Sequence, residues 1–173
     1  MASSPALRLA TRDDLPQLGR LAAKLVRYHH ELDPRRFFLQ EPIEPGYERW
    51  FGHEMKDPGA VIVVAEAALG GKKSEIVGYA YARLEERDWN ALLDACGYLH
   101  DIYVAEEART LGVGAALLDE VARRMWEMGA PRMVLQTATQ NVPAQRLFEK
   151  HGYRRTMVEM TLELGDGEPP KRS

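Results

Sequence analysis

Val104-Ala105-Glu106-Glu107-Ala108-Arg109-Thr110-Leu111-Gly112-Val113-Gly114-Ala115-Ala116 carries more structural information than any other segment of this chain. It runs from the end of an apolar strand, through a loop with one arginine and two glycines, into the first turn of a long helix. Such a helix start offers unpaired N–H groups and the positive end of the peptide dipole, and glycine keeps a Cβ out of the way. These are the parts of a pyrophosphate site, and Arg109 adds a cation. A tight turn is the plainer explanation of the same glycines. The dinucleotide pattern Gly-x-Gly-x-x-Gly fails at Leu117. The nucleotide-triphosphatase loop fails because Ala115-Ala116 stands where Lys-Ser or Lys-Thr is needed.

Outward from that segment, Gly97 to Val104 reads as a strand, Ala105 to Leu111 as a loop, and Gly112 to Met128 as an amphipathic helix carrying Val113, Leu117, Val121 and Met125. Gly129 and Pro131 end the helix. Beyond it lie a strand at Arg132 to Thr137, a helix from Asn141 to His151 stopped by Gly152, and a final strand from Tyr153 to Leu164. Upstream, Ala60 to Ala65 and Glu75 to Glu85 read as an antiparallel hairpin around the polar turn Gly70-Gly71-Lys72-Lys73. The chain opens with a strand at Leu7 to Ala10. Thr11-Arg12-Asp13-Asp14 then starts a helix whose apolar face is Leu15, Leu18, Leu21, Ala22 and Leu25, running to about His30. Pro34, Pro42 and Pro45 keep Leu32 to Gly46 irregular before a shorter helix at Tyr47 to Met55. This order predicts one α/β domain, a mixed sheet with helices on its faces.

Composition narrows the function classes. At 173 residues, 45% of them hydrophobic and 28% charged, the chain can bury a core as one domain. Lys plus Arg number 23 against 26 for Asp plus Glu, a net charge of -3, so no excess of cations awaits a nucleic-acid backbone. The apolar run around Val61 to Val64 is far short of the roughly 20 residues that cross a bilayer, so no membrane partner is expected. Met1 to Pro5 lacks a signal-peptide pattern, and one cysteine, Cys96, makes no internal disulfide, which points to a cytoplasmic location. His29, His30, His53, His100 and His151 show no ligand-like spacing with Cys96, so no metal site is expected.

Arg109-x-x-Gly112-x-Gly114 after a strand ending in Tyr103-Val104, followed by Asn141-x-x-Ala144-x-x-Leu147-Phe148-x-x-x-Gly152-Tyr153, resembles the GCN5-related N-acetyltransferase (GNAT) superfamily. The opening Leu7-Arg8-Leu9-Ala10-Thr11-x-x-Asp14-Leu15-x-x-Leu18 resembles that family's start, so the likeness covers nearly the whole chain. It implies an acetyltransferase domain over 1–164, and the Gly, Pro and charge content of 165–173 reads as a flexible tail. The implied fold is a mixed, mostly antiparallel sheet flanked by helices and splayed between its two central strands, with acetyl-CoA wedged in the opening. In relatives the strand ahead of the glycine loop offers backbone groups to the pantetheine arm, which here falls on Ile102, Tyr103 and Val104. The pyrophosphate would rest on N–H groups of Arg109, Thr110, Leu111, Gly112, Val113, Gly114 and Ala115. Asn141, Ala144 and Phe148 match positions on the other side of the CoA arm. The implied reaction is direct acetyl transfer to a primary amine of a small molecule or peptide, and relatives often form homodimers.

Such a transfer needs a neutral amine, a stabilised thioester oxygen and a proton for the departing thiolate. Backbone N–H groups near Val104 could serve the oxygen. Strict alternation along the strand puts Tyr98, His100 and Ile102 on one face and Leu99, Asp101 and Tyr103 on the other. His100 matches the position where several relatives carry the base that takes the amine proton, and imidazole chemistry suits neutral pH. Asp101 is the second catalytic candidate, with a structural role favoured by its face. Phe148 departs from the family: many relatives have a tyrosine there whose phenol serves as general acid. A non-catalytic acyl-CoA-binding or sensing module is therefore the rival function. Glu85, Glu86 and Asp88 form a candidate acidic rim for a cationic amine, and Cys96 has no activating base that would recommend a covalent acyl-enzyme.

Overall fold

The computed structural model describes residues 5–70 and 73–164. Its elements are β1 (Ala6–Leu9), α1 (Leu15–Leu32), α2 (Glu44–Glu54), β2 (Ala60–Ala67), β3 (Glu75–Glu85), β4 (Cys96–Val104), α3 (Val113–Glu127), β5 (Met133–Leu135) and α4 (Val142–Lys150), with 3-10 turns at Arg12–Asp14 and Glu106–Leu111. The strands form one sheet in the order β1-β2-β3-β4-β5, antiparallel throughout except for the parallel β4–β5 pair. A parallel pair needs a crossover, and α3 provides it.

Alternation along β2 and β3 sorts the core into two layers. Val61, Val63, Ala65, Val77, Ala80 and Ala82 pack against Val113, Leu117, Val121 and Met125 of α3, while Phe148 of α4 joins the same layer. Ile62, Val64, Tyr79 and Tyr81 point the opposite way, onto Leu18, Leu21, Ala22 and Leu25 of α1 and Phe51 of α2. The start of α1 is anchored electrostatically. Arg8 on β1 holds Asp14 at 2.7 Å and Glu66 of β2 at 2.5 Å, and Asp14 also accepts from the Thr11 N–H at 2.7 Å. These donors pull the Asp14 carboxyl down to about 2.

Several boundaries move from the sequence expectation, each for a local reason. α2 begins at Glu44, because Pro45 occupies a first-turn position where its missing N–H costs nothing. The expected loop after β4 winds into a 3-10 turn over Glu106–Leu111. The strand expected at Arg132 to Thr137 is three residues, Met133–Leu135. The final strand expected from Tyr153 to Leu164 does not form. Met157, Met160 and Leu162 there are 85%, 90% and 69% exposed, and no ladder reaches the segment. Its apolar alternation supplies a face but no partner, since β5 is too short to template so long a strand. Arg36 and Glu159 form an ion pair that ties the segment to the α1–α2 connection. The expected tail, 165–173, and part of the Gly70–Lys73 turn lie outside the described residues.

Candidate active site

β3 and β4 fall out of step at one point. Tyr81 pairs with Asp101, but the next residue, Ala82, pairs with Leu99, so His100 is an inserted residue, a β-bulge. The bulge overturns the strict alternation read from the sequence. Leu99 and Ile102 face α3, whereas His100 and Asp101 both face α1 and α2. His100 lies against Tyr81, ring centroids 5.3 Å apart, and against Tyr98 at 4.7 Å. Asp101 accepts a hydrogen bond from the Tyr79 hydroxyl at 3.1 Å.

The same point is where the sheet opens. The β4–β5 ladder runs Gly97↔Met133, Tyr98↔Val134 and Leu99↔Leu135 and then stops, while β3 stays paired to β4 as far as Val104. From His100 to Val104 the β5-facing edge of β4 has no strand partner among the described residues. That edge contains Ile102, Tyr103 and Val104, the residues expected to meet a pantetheine arm.

Beyond the edge, Gly112 adopts φ +74 and leads into α3 with no side-chain cap. A left-handed φ is what glycine tolerates, and the uncapped first-turn N–H groups of α3 stay available to an anion. A Cβ on Gly114 would stand 3.1 Å from Leu147 of α4, so that glycine lets α3 and α4 approach. Arg109, Thr110 and Gly112 are exposed, and Val113 is buried in the core. The Arg109 Nε donates to the Val104 carbonyl at 3.2 Å, which moors the arginine over the end of β4. Across the opening, Asn141 caps α4 by accepting from the Ala144 N–H at 3.4 Å. Phe148 is 6% exposed and packed in the α3 layer with Ala144 partly buried beside it.

Electrostatics separate the two acidic and basic candidates. The His100 Nε2 meets Glu85 Oε1 at 3.0 Å, so a carboxylate holds one ring nitrogen and leaves Nδ1 uncommitted among the described residues. Glu85 in turn stands 3.4 Å from Arg83, which bonds Glu54 and Asp57, each at 3.0 Å. Glu54 is 6% exposed and accepts from the Tyr81 hydroxyl at 2.5 Å. Removal from water pushes the Asp101 carboxyl up to about 6, against the Tyr79 hydrogen bond and nearby His100, which pull it down. Tyr79 itself is pushed well up by burial and by Asp101.

Sequence reasoning missed Glu54, Tyr81 and Tyr28. Their signals are long-range: a glutamate on an apolar helix face, a tyrosine in a strand, and a tyrosine at a helix end reveal their partners only after folding. Cys96 is the buried first residue of β4, opposite Glu85 in the β3–β4 ladder, and burial pushes its thiol up. Among the described residues no group of three His, Cys, Asp or Glu could hold a metal, and no helix is long and apolar enough to cross a membrane.

Known proteins resemble this chain in sequence and in fold. The sequence profile of the acetyltransferase (GNAT) family matches residues 25–153. A D-amino-acid N-acetyltransferase of Saccharomyces cerevisiae is 31% identical over 91 residues, 53% of this chain and 55% of the yeast protein, so the match spans about half of that relative's length. An N-alpha-acetyltransferase of Sulfurisphaera tokodaii is 32% identical over 124 residues, 69% of this chain and 71% of its own. An aminoglycoside N-acetyltransferase solved in complex with CoA superposes with a TM-score of 0.70 at 18% identity, covering 94% of this chain and 96% of that one, a likeness of fold.

Proposed function

This chain belongs to the acetyltransferase (GNAT) family, and we propose that it moves the acetyl group of acetyl-CoA directly to a primary amine. The observation that supports the reading is the coincidence of the β4 bulge at His100 with the point where β4 and β5 part, beside the strand edge that leads to the glycine loop. The CoA arm would lie along Ile102, Tyr103 and Val104, with its pyrophosphate on the N–H groups from Arg109 to Ala115 and its far side against Asn141, Ala144 and Phe148. CoA bound there supplies the activated thioester.

The chain's own groups then have distinct tasks. Glu85 accepts from His100 Nε2, which fixes the tautomer with its lone pair on Nδ1, and that nitrogen takes a proton from the incoming amine. N–H groups near Val104 stabilise charge on the thioester oxygen. Asp101, with a carboxyl titrating near 6 and tied to Tyr79, is placed to hold a cationic amine beside His100 before deprotonation. The acceptor is a small molecule or a peptide amine.

A second reading, an acyl-CoA-binding module without catalysis, draws on Phe148, which has no proton to give the thiolate. The first test is the thermal midpoint with and without acetyl-CoA, because a ligand at 100 times its Kd adds about 2.7 kcal/mol to the folded state, several degrees for a domain of this size. A rise supports the cleft; no shift at millimolar acetyl-CoA removes both readings. Amine-stimulated release of CoA thiol across a panel of amines then separates enzyme from binder.

A further inference from the structure

Resting on the acetyl-transfer reading, we propose that the phenol of Tyr28 on α1 protonates the departing CoA thiolate, the task for which Phe148 lacks a hydroxyl. Tyr28 and Asn141 are 113 residues apart in the chain, yet the Tyr28 hydroxyl donates to Asn141 Oδ1 at 3.3 Å. That amide oxygen is also the N-cap acceptor of α4. The phenol therefore stands at the N-terminal end of α4, about two turns from Phe148 on the same helix. Tyr28 also lines a cleft of about 380 Å³ whose other walls include Lys24, Glu31, Tyr103, Glu106 and Arg109. Tyr103 and Arg109 are the end of β4 and the start of the cofactor loop. The hydroxyl thus sits between the α4 cap and the strand edge that would carry the pantetheine arm.

Other phenols fit less well. Tyr153 has its ring centroid 6.0 Å from Phe148 but packs in the apolar layer beneath α3. Tyr79 is fully buried and already donates to Asp101. Tyr103 shares the cleft but is only 7% exposed, against the α1 layer.

The step balances without an added reagent. The amine nitrogen attacks the thioester carbon and forms the C–N bond. The tetrahedral intermediate collapses, the C–S bond breaks, and sulfur leaves with the electron pair. Sulfur takes the Tyr28 hydroxyl proton, and the phenolate regains one from water. The proton lost by nitrogen passes through His100 to solvent, so one proton leaves nitrogen for each that sulfur gains.

The test is Tyr28→Phe in the full chain, with Tyr153→Phe as comparator. Tyr28→Phe is expected to keep the acetyl-CoA thermal shift, lower kcat about 100-fold and abolish the alkaline limb of kcat against pH, while Tyr153→Phe keeps that limb. A role confined to propping Asn141 would instead weaken the thermal shift and leave the alkaline limb in place, which overturns the proposal. So does an unchanged kcat. Wild-type protein that binds acetyl-CoA but releases no thiol to any amine overturns the catalytic reading itself, and Tyr28's task with it.

Discussion

His100 and Asp101 are consecutive residues that face the same side of the sheet. Successive strand residues ordinarily point apart, and here the bulge opposite Tyr81 rotates one of them back. The consequence is a base candidate and a carboxylate side by side where the sheet parts.

The roles of the two can be separated by substitution. His100→Ala is expected to lower kcat about 100-fold near pH 7 while the acetyl-CoA thermal shift stays intact, because in the proposed reaction the ring serves the amine and it lies away from the glycine loop. Glu85→Gln, which loosens the ring but leaves it in place, is expected to cost less. Steady-state kinetics with thermal shifts check both, and an unchanged rate in His100→Ala removes that residue from the mechanism.

Asp101 leaves a signature in the pH dependence of stability. Its folded carboxyl titrates near 6, above the roughly 3.9 of an unfolded aspartate, so between those values the folded state binds more protons than the unfolded one. Its contribution therefore falls as pH rises from about 4 to 6, by about 3 kcal/mol in all. Asp101→Asn is expected to flatten that part of the profile in urea unfolding series. Tyr79→Phe, which withdraws a donor from the carboxylate, is expected to move the midpoint upward.

Asp14 carries the opposite sign. With its carboxyl held near 2, its contribution is present above pH 4 and is lost as pH falls through the folded value. Asp14→Asn is expected to cost about 2 kcal/mol at pH 7 and almost nothing at pH 2, read from the same unfolding series.

Gly112 tests the cofactor loop. No atom lies within 4 Å of the place a Cβ would take there, so Gly112→Ala meets no clash and its strain is the left-handed φ alone. A cost of about 1–2 kcal/mol in stability is expected, with loss of the acetyl-CoA thermal shift as the loop retreats from that conformation. A shift as large as the wild type's would dissociate the loop from cofactor binding.

The outer segment gives the control. Met160→Ser is expected to change stability by less than about 0.5 kcal/mol, because the side chain is 90% exposed. A loss of several kcal/mol would show that Tyr153 to Leu164 does pack as a strand after all.

Local spacing along the chain is enough to read the order of the elements through β5 and α4, the apolar faces of α1 and α3, the glycine loop, and the Asn141 cap of α4. These are local matters: a helix face repeats within a few residues, and a cap lies three residues from the N–H it satisfies. The bulge at His100, the Glu54–Tyr81–Arg83 network and the Tyr28–Asn141 contact come from long-range packing and are invisible to local spacing. A bulge is a mismatch in count between two strands, and register between β3 and β4 is set by both together with the layers that pack on them. The same reason explains the strand that did not form after Tyr153. Alternating side chains specify which face would be buried, but a strand exists only when another edge is long enough to pair with it, and that depends on where the rest of the chain has gone.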